Sequence, residues 1–278
     1  MGGMTRSALV TGGNSGIGLA VAEGLAKAGY KLWVTGRDAD KGAQAVARLK
    51  PLASAGVEFL RGDFATAAEA KAFARDFKSR CGGKLDVLVC STGVLNSKRR
   101  AAPDGTEETW AAQFLSRYIL TEALTPELTA AGDGRVVYVT APVVKSARLH
   151  EDDLNLTKGY SMLKAAQQGA LACQLYIQSY AAAHAKGPAI NAGHVGIVRT
   201  GIFRNMSGPI KWIFSLMAPL ISISAERSAK NFIALASDPA LAGVTGYFFP
   251  KPERLDKRDK IARDAAEQTQ FERIRAKI

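Results

Sequence analysis

Short runs of apolar residues recur along the chain and are separated by longer stretches in which apolar and polar residues mix. Each run is continuously apolar, which is typical of parallel strands that are covered on both faces of a sheet. The runs predict strands at Ser7–Thr11, Leu32–Thr35, Val57–Leu60, Leu85–Cys90, Arg135–Thr140, Ala189–Val195 and Gly246–Phe249.

The stretches between the strands carry apolar residues at helical spacing. They predict helices at Ile17–Ala28, Ala39–Leu49, Ala67–Lys78, Glu107–Leu124 with a second segment to Ala130, Tyr160–Ala183 and Ala225–Ala236. Because strands alternate with helices and no linker interrupts them, we predict one α/β domain over residues 1–250, with a parallel, doubly wound sheet and helices on both faces. Residues 251–278 mix charges of both signs and predict an exposed helical tail.

The composition narrows the range of functions. The chain has 278 residues, 47% of them hydrophobic, and a formal net charge of +12 that would attract anions such as dinucleotide phosphates. The basic residues do not interleave with aromatic residues, so we expect no nucleic-acid partner. Cys81, Cys90 and Cys173 are scattered and odd in number, which predicts no disulfide framework and no metal site. Since no secretory leader precedes the first strand, we expect a cytoplasmic protein.

A glycine-rich turn, TGGNSGIG, follows the first strand at residues 11–18. Glycine lets the backbone turn sharply and approach a pyrophosphate, and the next helix directs its N–H groups and positive dipole end at that anion. Because the turn joins a strand to a helix, it predicts a Rossmann-type dinucleotide site rather than an ordinary tight turn. The predicted ligands are Gly12, Asn14, Ser15, Gly16, Ile17 and Gly18.

The second strand ends in Thr35, Gly36 and Arg37. NAD-specific sites usually carry an acid here that holds the ribose 2′-hydroxyl. Gly36 instead leaves room, and Arg37 suits the geometry of a 2′-phosphate. We therefore predict NADP(H) as the cofactor, with the alternative that Asp38 neutralises Arg37 in a surface pair.

The glycine turn and the pattern Tyr160-Ser161-Met162-Leu163-Lys164 together resemble the short-chain dehydrogenase/reductase family. The segments at residues 152–155 and 191–196 are similar to the retinol-dehydrogenase-like branch of that family. The resemblance implies an oxidoreductase in which Tyr160 is the acid/base and Lys164 also holds the nicotinamide ribose. It further implies cofactor contacts from Asp63, Phe64, Gly93, Gly196 and Thr200, although Asp63 is also a fair helix N-cap.

The chemistry of Tyr160 and Lys164 also follows from their spacing. Residues four apart on a helix share one face. A nearby ammonium favours tyrosinate and lowers the tyrosine pKa, which brings proton exchange with a substrate oxygen closer to neutral pH.

Three departures from the family pattern concern the predicted active site. The usual Asn-Asn-Ala-Gly after the fourth strand is Cys90-Ser91-Thr92-Gly93, and the helix asparagine that helps to hold a proton-relay water is Gln113. At the end of the fifth strand the family has two small hydroxyl residues, and the second of them polarises the substrate carbonyl. Here Thr140 stands at the first position and Ala141 at the second. Losing such a donor typically lowers a rate by about 10²–10³. Either the register is off by one position, another hydroxyl such as that of Ser146 serves, or the protein is not an ordinary dehydrogenase.

An apolar segment near residues 203–224 falls where the family has its substrate-covering loop. We expect a lid over a bulky lipophilic substrate, with peripheral membrane contact and a dimer contact as alternatives. The small residues Ala165, Ala166, Gly169 and Ala170 leave open a homodimer formed through long helices or close packing inside one chain.

The sequence thus favours an NADP(H)-dependent carbonyl reductase or alcohol dehydrogenase for a lipophilic small molecule. Tyr160 and Lys164 would be its main catalytic residues, and Gln113 and Thr140 would take lesser parts. One alternative keeps the cofactor site but catalyses a cyclisation, isomerisation or elimination. Another is a non-catalytic protein that senses the cofactor.

Overall fold

In the computed structural model, which describes residues 5–196, 223–251 and 254–278, the apolar runs form the strands of one sheet. The strands are β1 (Ser7–Thr11), β2 (Lys31–Gly36), β3 (Val57–Arg61), β4 (Val87–Cys90), β5 (Arg135–Thr140), β6 (Ala189–His194), β7 (Tyr247–Phe249) and β8 (Asp259–Lys260). Their order across the sheet is β3-β2-β1-β4-β5-β6-β7-β8. The pairs from β3 to β7 are parallel, and β8 is antiparallel to β7.

Helices cover both faces of this sheet. They are α1 (Gly16–Lys27), α2 (Ala39–Leu49), α3 (Ala67–Arg80), α4 (Glu108–Trp110), α5 (Ser116–Ala130), α6 (Met162–Ala183), α7 (Ala225–Ser237) and α8 (Ala265–Arg275). Leu88 and Tyr138 belong to the core that includes α3, α5 and α6, whereas Val89 and Val137 belong to the core that includes α1 and α7. Neighbouring strand residues are therefore both buried, and the predicted doubly wound α/β fold is confirmed.

The C-terminal residues join the core, which the charge pattern alone did not indicate. A helix does form there, but we expected it to be exposed. Instead β8 extends the sheet, and α8 buries Phe271 and Ile274 completely. The ring centroid of Phe271 lies 5.7 Å from that of Phe114. Apolar residues widely spaced among charges were sufficient to attach this segment to the domain.

The small residues of α6 pack inside the chain. Ala165 and Ala170 are buried, and a Cβ on Gly169 would lie 3.1 Å from Cβ of Gln113. Close packing inside the chain thus accounts for Ala165, Gly169 and Ala170. Within the described residues, none of the helices combines the length and apolar character that crossing a bilayer requires.

The strand order creates the crevice that positions the site. From β1 the chain moves to β2 and β3 on one side, then returns to β4 on the other side of β1. In open parallel sheets, ligands bind beyond the carboxyl ends of the strands at such a reversal. The glycine turn follows β1, so it lies at this point.

Candidate functional site

A cleft of about 610 Å³ lies at the carboxyl ends of the central strands. Its size falls in the range of small-molecule sites. Most of the predicted site residues line it, namely Gly12, Asn14, Ser15, Gly16, Ile17, Gly18, Arg37, Asp63, Phe64, Gly93, Gln113, Thr140 and Gly196. The structure thus brings together residues that are far apart in the sequence.

The glycine turn has the backbone geometry that its sequence predicted. Gly12 and Gly16 have φ angles of 66° and 55°, in the left-handed region that favours glycine. A Cβ on Gly18 would overlap the carbonyl oxygen of Gly12, so turn and helix pack too closely for any side chain there. Among the described residues, no side chain caps α1, which leaves its first-turn N–H groups open to an anion.

The end of β2 offers a cationic pocket. A Cβ on Gly36 would overlap the side-chain amide of Asn14, so a larger residue here would have to displace that side chain. Asp38 caps α2 by accepting from Lys41 N at 3.0 Å, and it also pairs with Lys41 Nζ at 3.1 Å. The backbone N–H of Lys41 lowers the pKa of Asp38. Asp38 therefore interacts with Lys41. In the part of the chain that the structure describes, no carboxylate forms an ion pair with Arg37, so the alternative of an Arg37–Asp38 pair is wrong.

Asp63 and Phe64 line the same end of the cleft, beyond β3. Asp63 is not the N-cap of α3, because Thr66 caps that helix and forms a capping box with Glu69. The N-cap alternative for Asp63 is therefore wrong. Its carboxylate is exposed, while the ring of Phe64 is buried against Phe73, with centroids 5.2 Å apart.

Residues 91–96, the wall segment, form one side of the cleft. The N–H groups of Ser91 and Thr92 donate to Thr11 Oγ1 at 3.2 and 3.4 Å. A Cβ on Gly12 would lie 3.2 Å from Thr92 N, so the wall segment packs directly on the glycine turn. Gly93 belongs to this segment and lines the cleft.

Three side chains hold alternate carbonyl groups of the wall segment. Arg117 Nη2 donates to Thr92 O at 2.8 Å, and Gln113 Nε2 donates to Val94 O at 3.1 Å. The Tyr160 hydroxyl donates to Asn96 O at 2.7 Å. Two of these donors, Gln113 and Tyr160, were predicted to be catalytic, and here both support the wall of the cleft. Arg117 was missed, although it follows Gln113 by one helical turn.

Gln113 lies in a π-helical segment, Ala111–Leu115, that joins α4 to α5. Such local widening of a helix is frequent at functional sites. The absent side chain of Gly169 on α6 gives Gln113 the space to reach Val94 O while it still lines the cleft.

Tyr160 and Lys164 do not form the predicted pair on one helix face. α6 begins at Met162, and Ser161 is its extended N-cap, accepting from Lys164 N at 3.1 Å. Tyr160 therefore precedes the helix, and Lys164 Nζ donates to Gly159 O at 2.7 Å. Neither residue lines the cleft, so the predicted placement is wrong for this structure.

The predicted lowering of the Tyr160 pKa is also wrong for this structure. Burial raises the pKa of Tyr160, and the carboxylates of Glu107 and Glu108 raise it further. A hydrogen bond with Thr109 lowers it only in part. The physical reason is position, because Lys164 bonds to a backbone carbonyl while the charges of Glu107 and Glu108 act on the hydroxyl.

The end of β5 lies at the cleft. β5 ends at Thr140, and both Thr140 and Ala141 line the cleft. Alanine thus stands where a hydroxyl donor was expected, and Thr140 brings a hydroxyl-bearing residue to the cleft. Ser146 is exposed in a turn and does not line the cleft, so the structure does not support it as the replacement.

The end of β6 completes the cleft. Gly196 has a φ of 73°, and His194 and Val195 line the cleft beside it. His194 was not predicted as a site residue; its Nδ1 lies 3.2 Å from Pro250 O, and burial lowers its pKa. Thr200 and residues 203–222 of the predicted lid lie outside the described residues. Of the last two lid residues, Ser224 caps α7 by accepting from Arg227 N.

Comparison with known proteins shows the family of the chain. The family model described as short chain dehydrogenase matches residues 6–204, which include the glycine turn, the wall segment and α6. The chain belongs to this family. Human polyprenol dehydrogenase is 30% identical over 251 residues, covering 87% of this chain and 76% of that protein. Human retinol dehydrogenase 14 is 26% identical over 261 residues, covering 88% and 77%. The chain is therefore related to the retinol-dehydrogenase-like branch.

Solved structures show the same fold. The Pseudomonas aeruginosa RhlG/NADP active-site complex has a TM-score of 0.69 at 22% identity, covering 89% of this chain and 95% of that one. A 7α-hydroxysteroid dehydrogenase complexed with NADH and 7-oxo glycochenodeoxycholic acid has a TM-score of 0.69 at 21% identity, covering 89% and 92%. At these identities the likeness supports the Rossmann fold alone.

Proposed function

We propose that the protein is an NADP(H)-dependent oxidoreductase that interconverts an alcohol and a carbonyl on a lipophilic small molecule. The observation that carries the cofactor part is the end of β2. Gly36 has no side chain, Asp38 forms an ion pair with Lys41, and none of the carboxylates that the structure describes pairs with Arg37. These residues fit a 2′-phosphate, which an acid at Gly36 would repel.

The rest of the cleft fits the remainder of the dinucleotide. The open first turn of α1 would hold the pyrophosphate, and Asp63 and Phe64 would border the adenine. The nicotinamide half would then lie toward Gln113, Thr140 and Gly196. When bound, the dinucleotide supplies or accepts the hydride that is exchanged with the substrate carbon.

Tyr160 is the proposed acid/base. It would donate its proton to the substrate oxygen during reduction and take a proton from the alcohol during oxidation. Because its hydroxyl donates to Asn96 O in this structure, the mechanism requires that this hydrogen bond break first. Lys164 must likewise leave Gly159 O before it can lower the pKa of Tyr160.

The substrate class follows from the cleft and from the relatives. Apolar residues line the cleft, including Val94, Leu95, Ala112, Ala166 and Val195. The names of the two human relatives specify polyprenol and retinol, both lipophilic alcohols. We therefore propose an isoprenoid-like alcohol or its carbonyl form as the substrate.

The test is turnover by the purified protein. NADPH absorbance would be followed with retinal and a polyprenal, and NADP⁺ reduction with retinol and a polyprenol. Tyr160→Phe should lower kcat by about 10²–10⁴-fold, since it removes the proton donor. Tyr247→Phe, on strand β7 and outside the cleft lining, is the matched control and should leave kcat unchanged. Full turnover by Tyr160→Phe would exclude the mechanism.

A second candidate keeps the cofactor but not the net redox step. Ala141 at the hydroxyl position and Tyr160 outside the cleft favour it. It predicts that substrate is cyclised, isomerised or dehydrated while NADPH absorbance stays constant, whereas stoichiometric NADPH consumption would exclude it.

A cytoplasmic location is a further part of the proposal. The three cysteines are free and buried, as suits a reducing compartment. Recovery of the protein in an oxidising compartment after cell fractionation would contradict it.

A further inference from the structure

Within the part of the chain that the structure describes, Arg117 is a buried cation without an anionic partner. It is 3% exposed and lines the cleft behind the wall segment. Its Nη2 donates to Thr92 O, and its guanidinium carbon lies 5.7 Å from the ring centroid of Tyr138. Among the described residues, its Nε and Nη1 meet no oxygen or nitrogen acceptor and no carboxylate forms an ion pair with it, although the guanidinium lies beside the Cys173 thiol. A carbonyl and an aromatic ring thus compensate the charge only in part.

The nearby thiols do not supply the missing negative charge. Burial raises the pKa of Cys90 to about 12 and that of Cys173 to about 11, even though Arg117 opposes both shifts. Both side chains are therefore neutral near pH 7. Because the guanidinium is removed from water, its positive potential is screened far less than that of a surface cation.

Arg117 lies toward the proposed nicotinamide end of the cleft. It follows Gln113 by one helical turn, and the two side chains hold neighbouring carbonyl groups of the wall segment. Two carboxylates of the described cleft lining, Asp38 and Asp63, lie at the opposite end. The third, Glu108, is half-exposed and accepts from Asn96 Nδ2 at 2.9 Å.

We infer that the unpaired charge of Arg117 makes the cleft select the reduced cofactor over the oxidised one. The inference rests on the proposed function. The oxidised nicotinamide ring carries a positive charge and the reduced ring is neutral. A buried cation at that end of the cleft repels only the oxidised form. Two unit charges about 10 Å apart at an effective dielectric constant near 20 interact strongly enough to change Kd by about ten-fold.

The charge of Arg117 can be separated from its hydrogen bond. Arg117→Gln keeps an N–H donor without the charge, Arg117→Met removes both, and Arg117→Lys keeps the charge. Arg100→Gln is the matched control, since Arg100 is an exposed cation that lines the same cleft. Thermal melting of each variant would show that it is folded.

The measurement is the pair of Kd values for NADPH and NADP⁺, obtained by calorimetry without any substrate. We expect the wild type and Arg117→Lys to bind NADPH about ten-fold more tightly than NADP⁺. Arg117→Gln and Arg117→Met should bring the ratio near one, mainly by tightening NADP⁺ binding. Arg100→Gln should keep the wild-type ratio.

Two results would overturn the inference. Equal Kd values for the two forms in the wild type would do so without any variant, even if Arg117→Gln or Arg117→Met does not fold. The second result is that Arg117→Gln keeps the wild-type preference for NADPH while both Kd values rise by the same factor. Arg117 would then only position Thr92. Failure of the wild type to bind either form would overturn the proposed function as well, so the two failures are distinguishable.

Discussion

Replacing Arg37 with alanine tests the cationic pocket at the end of β2. The pocket consists of Arg37, the side-chain-free position Gly36 and the nearby Lys41, whose ammonium pairs with Asp38 at 3.1 Å. Because Asp38 is held by Lys41, the Arg37 guanidinium is available to a 2′-phosphate. Arg37→Ala should therefore weaken NADPH binding and leave NADH binding unchanged.

The size of the effect follows from the exposure of Arg37. A hydrogen bond to a charged group contributes about 1.5–3 kcal/mol. Solvent and salt screen an exposed pair, so the lower end applies. A loss of about 1.5 kcal/mol corresponds to roughly ten-fold in Kd.

The assay is titration of each variant with NADPH and with NADH, followed by nicotinamide fluorescence at low and at moderate salt. Arg48→Ala is the matched control, because Arg48 is an exposed arginine that pairs with Glu23 away from the cleft. The ratio of NADPH to NADH affinity should fall about ten-fold in Arg37→Ala only, and the fall should shrink as salt rises. An unchanged ratio, or an equal loss for both cofactors, would refute the assignment of Arg37 to a 2′-phosphate.

Three further predictions concern other parts of the fold. Gly18→Ala would force its methyl group against Gly12 O, so it should lower stability by about 1–3 kcal/mol and weaken NADPH binding; an unchanged Tm and Kd would contradict the packing of this turn. Phe271→Ala should cost about 3–5 kcal/mol in urea unfolding, against less than about 0.5 for the exposed Thr269→Ala, because Phe271 is fully buried; equal effects would contradict the docking of α8. Since its pKa is raised to about 12, Cys90 should be thiolate in only about one molecule in 10⁴ at pH 8, and a thiol reagent should modify it only after unfolding; rapid labelling of the folded protein would contradict its burial.

The strands and most helices were predictable because burial on both faces leaves a continuous apolar run, which is a local pattern. The glycine turn was equally local, since φ angles of 66° at Gly12 and 55° at Gly16 favour one residue type. The attachment of α8 was not predictable from charge, because two buried residues among many charged ones decide it.

The predicted active site depended more on tertiary contacts. Whether Asp38 neutralises Arg37 was open in the sequence, and the start of α2 decided it by engaging Asp38 as a cap. The spacing of Tyr160 and Lys164 predicted one helix face, but α6 begins after Tyr160, and backbone carbonyls of Asn96 and Gly159 take both side chains.

By itself, the sequence determined the alternating α/β architecture, the phosphate-binding turn and the absence of a hydroxyl at Ala141, since each depends on residue type within a short window. Only the tertiary structure decided which groups face the cleft and which of the described charges lacks an anionic partner. The wall segment shows why, because its carbonyl groups bind Arg117, Gln113 and Tyr160 from elements distant in sequence. Hydrogen bonds and unpaired charges depend on spatial neighbours, and the packing of the whole chain sets those neighbours.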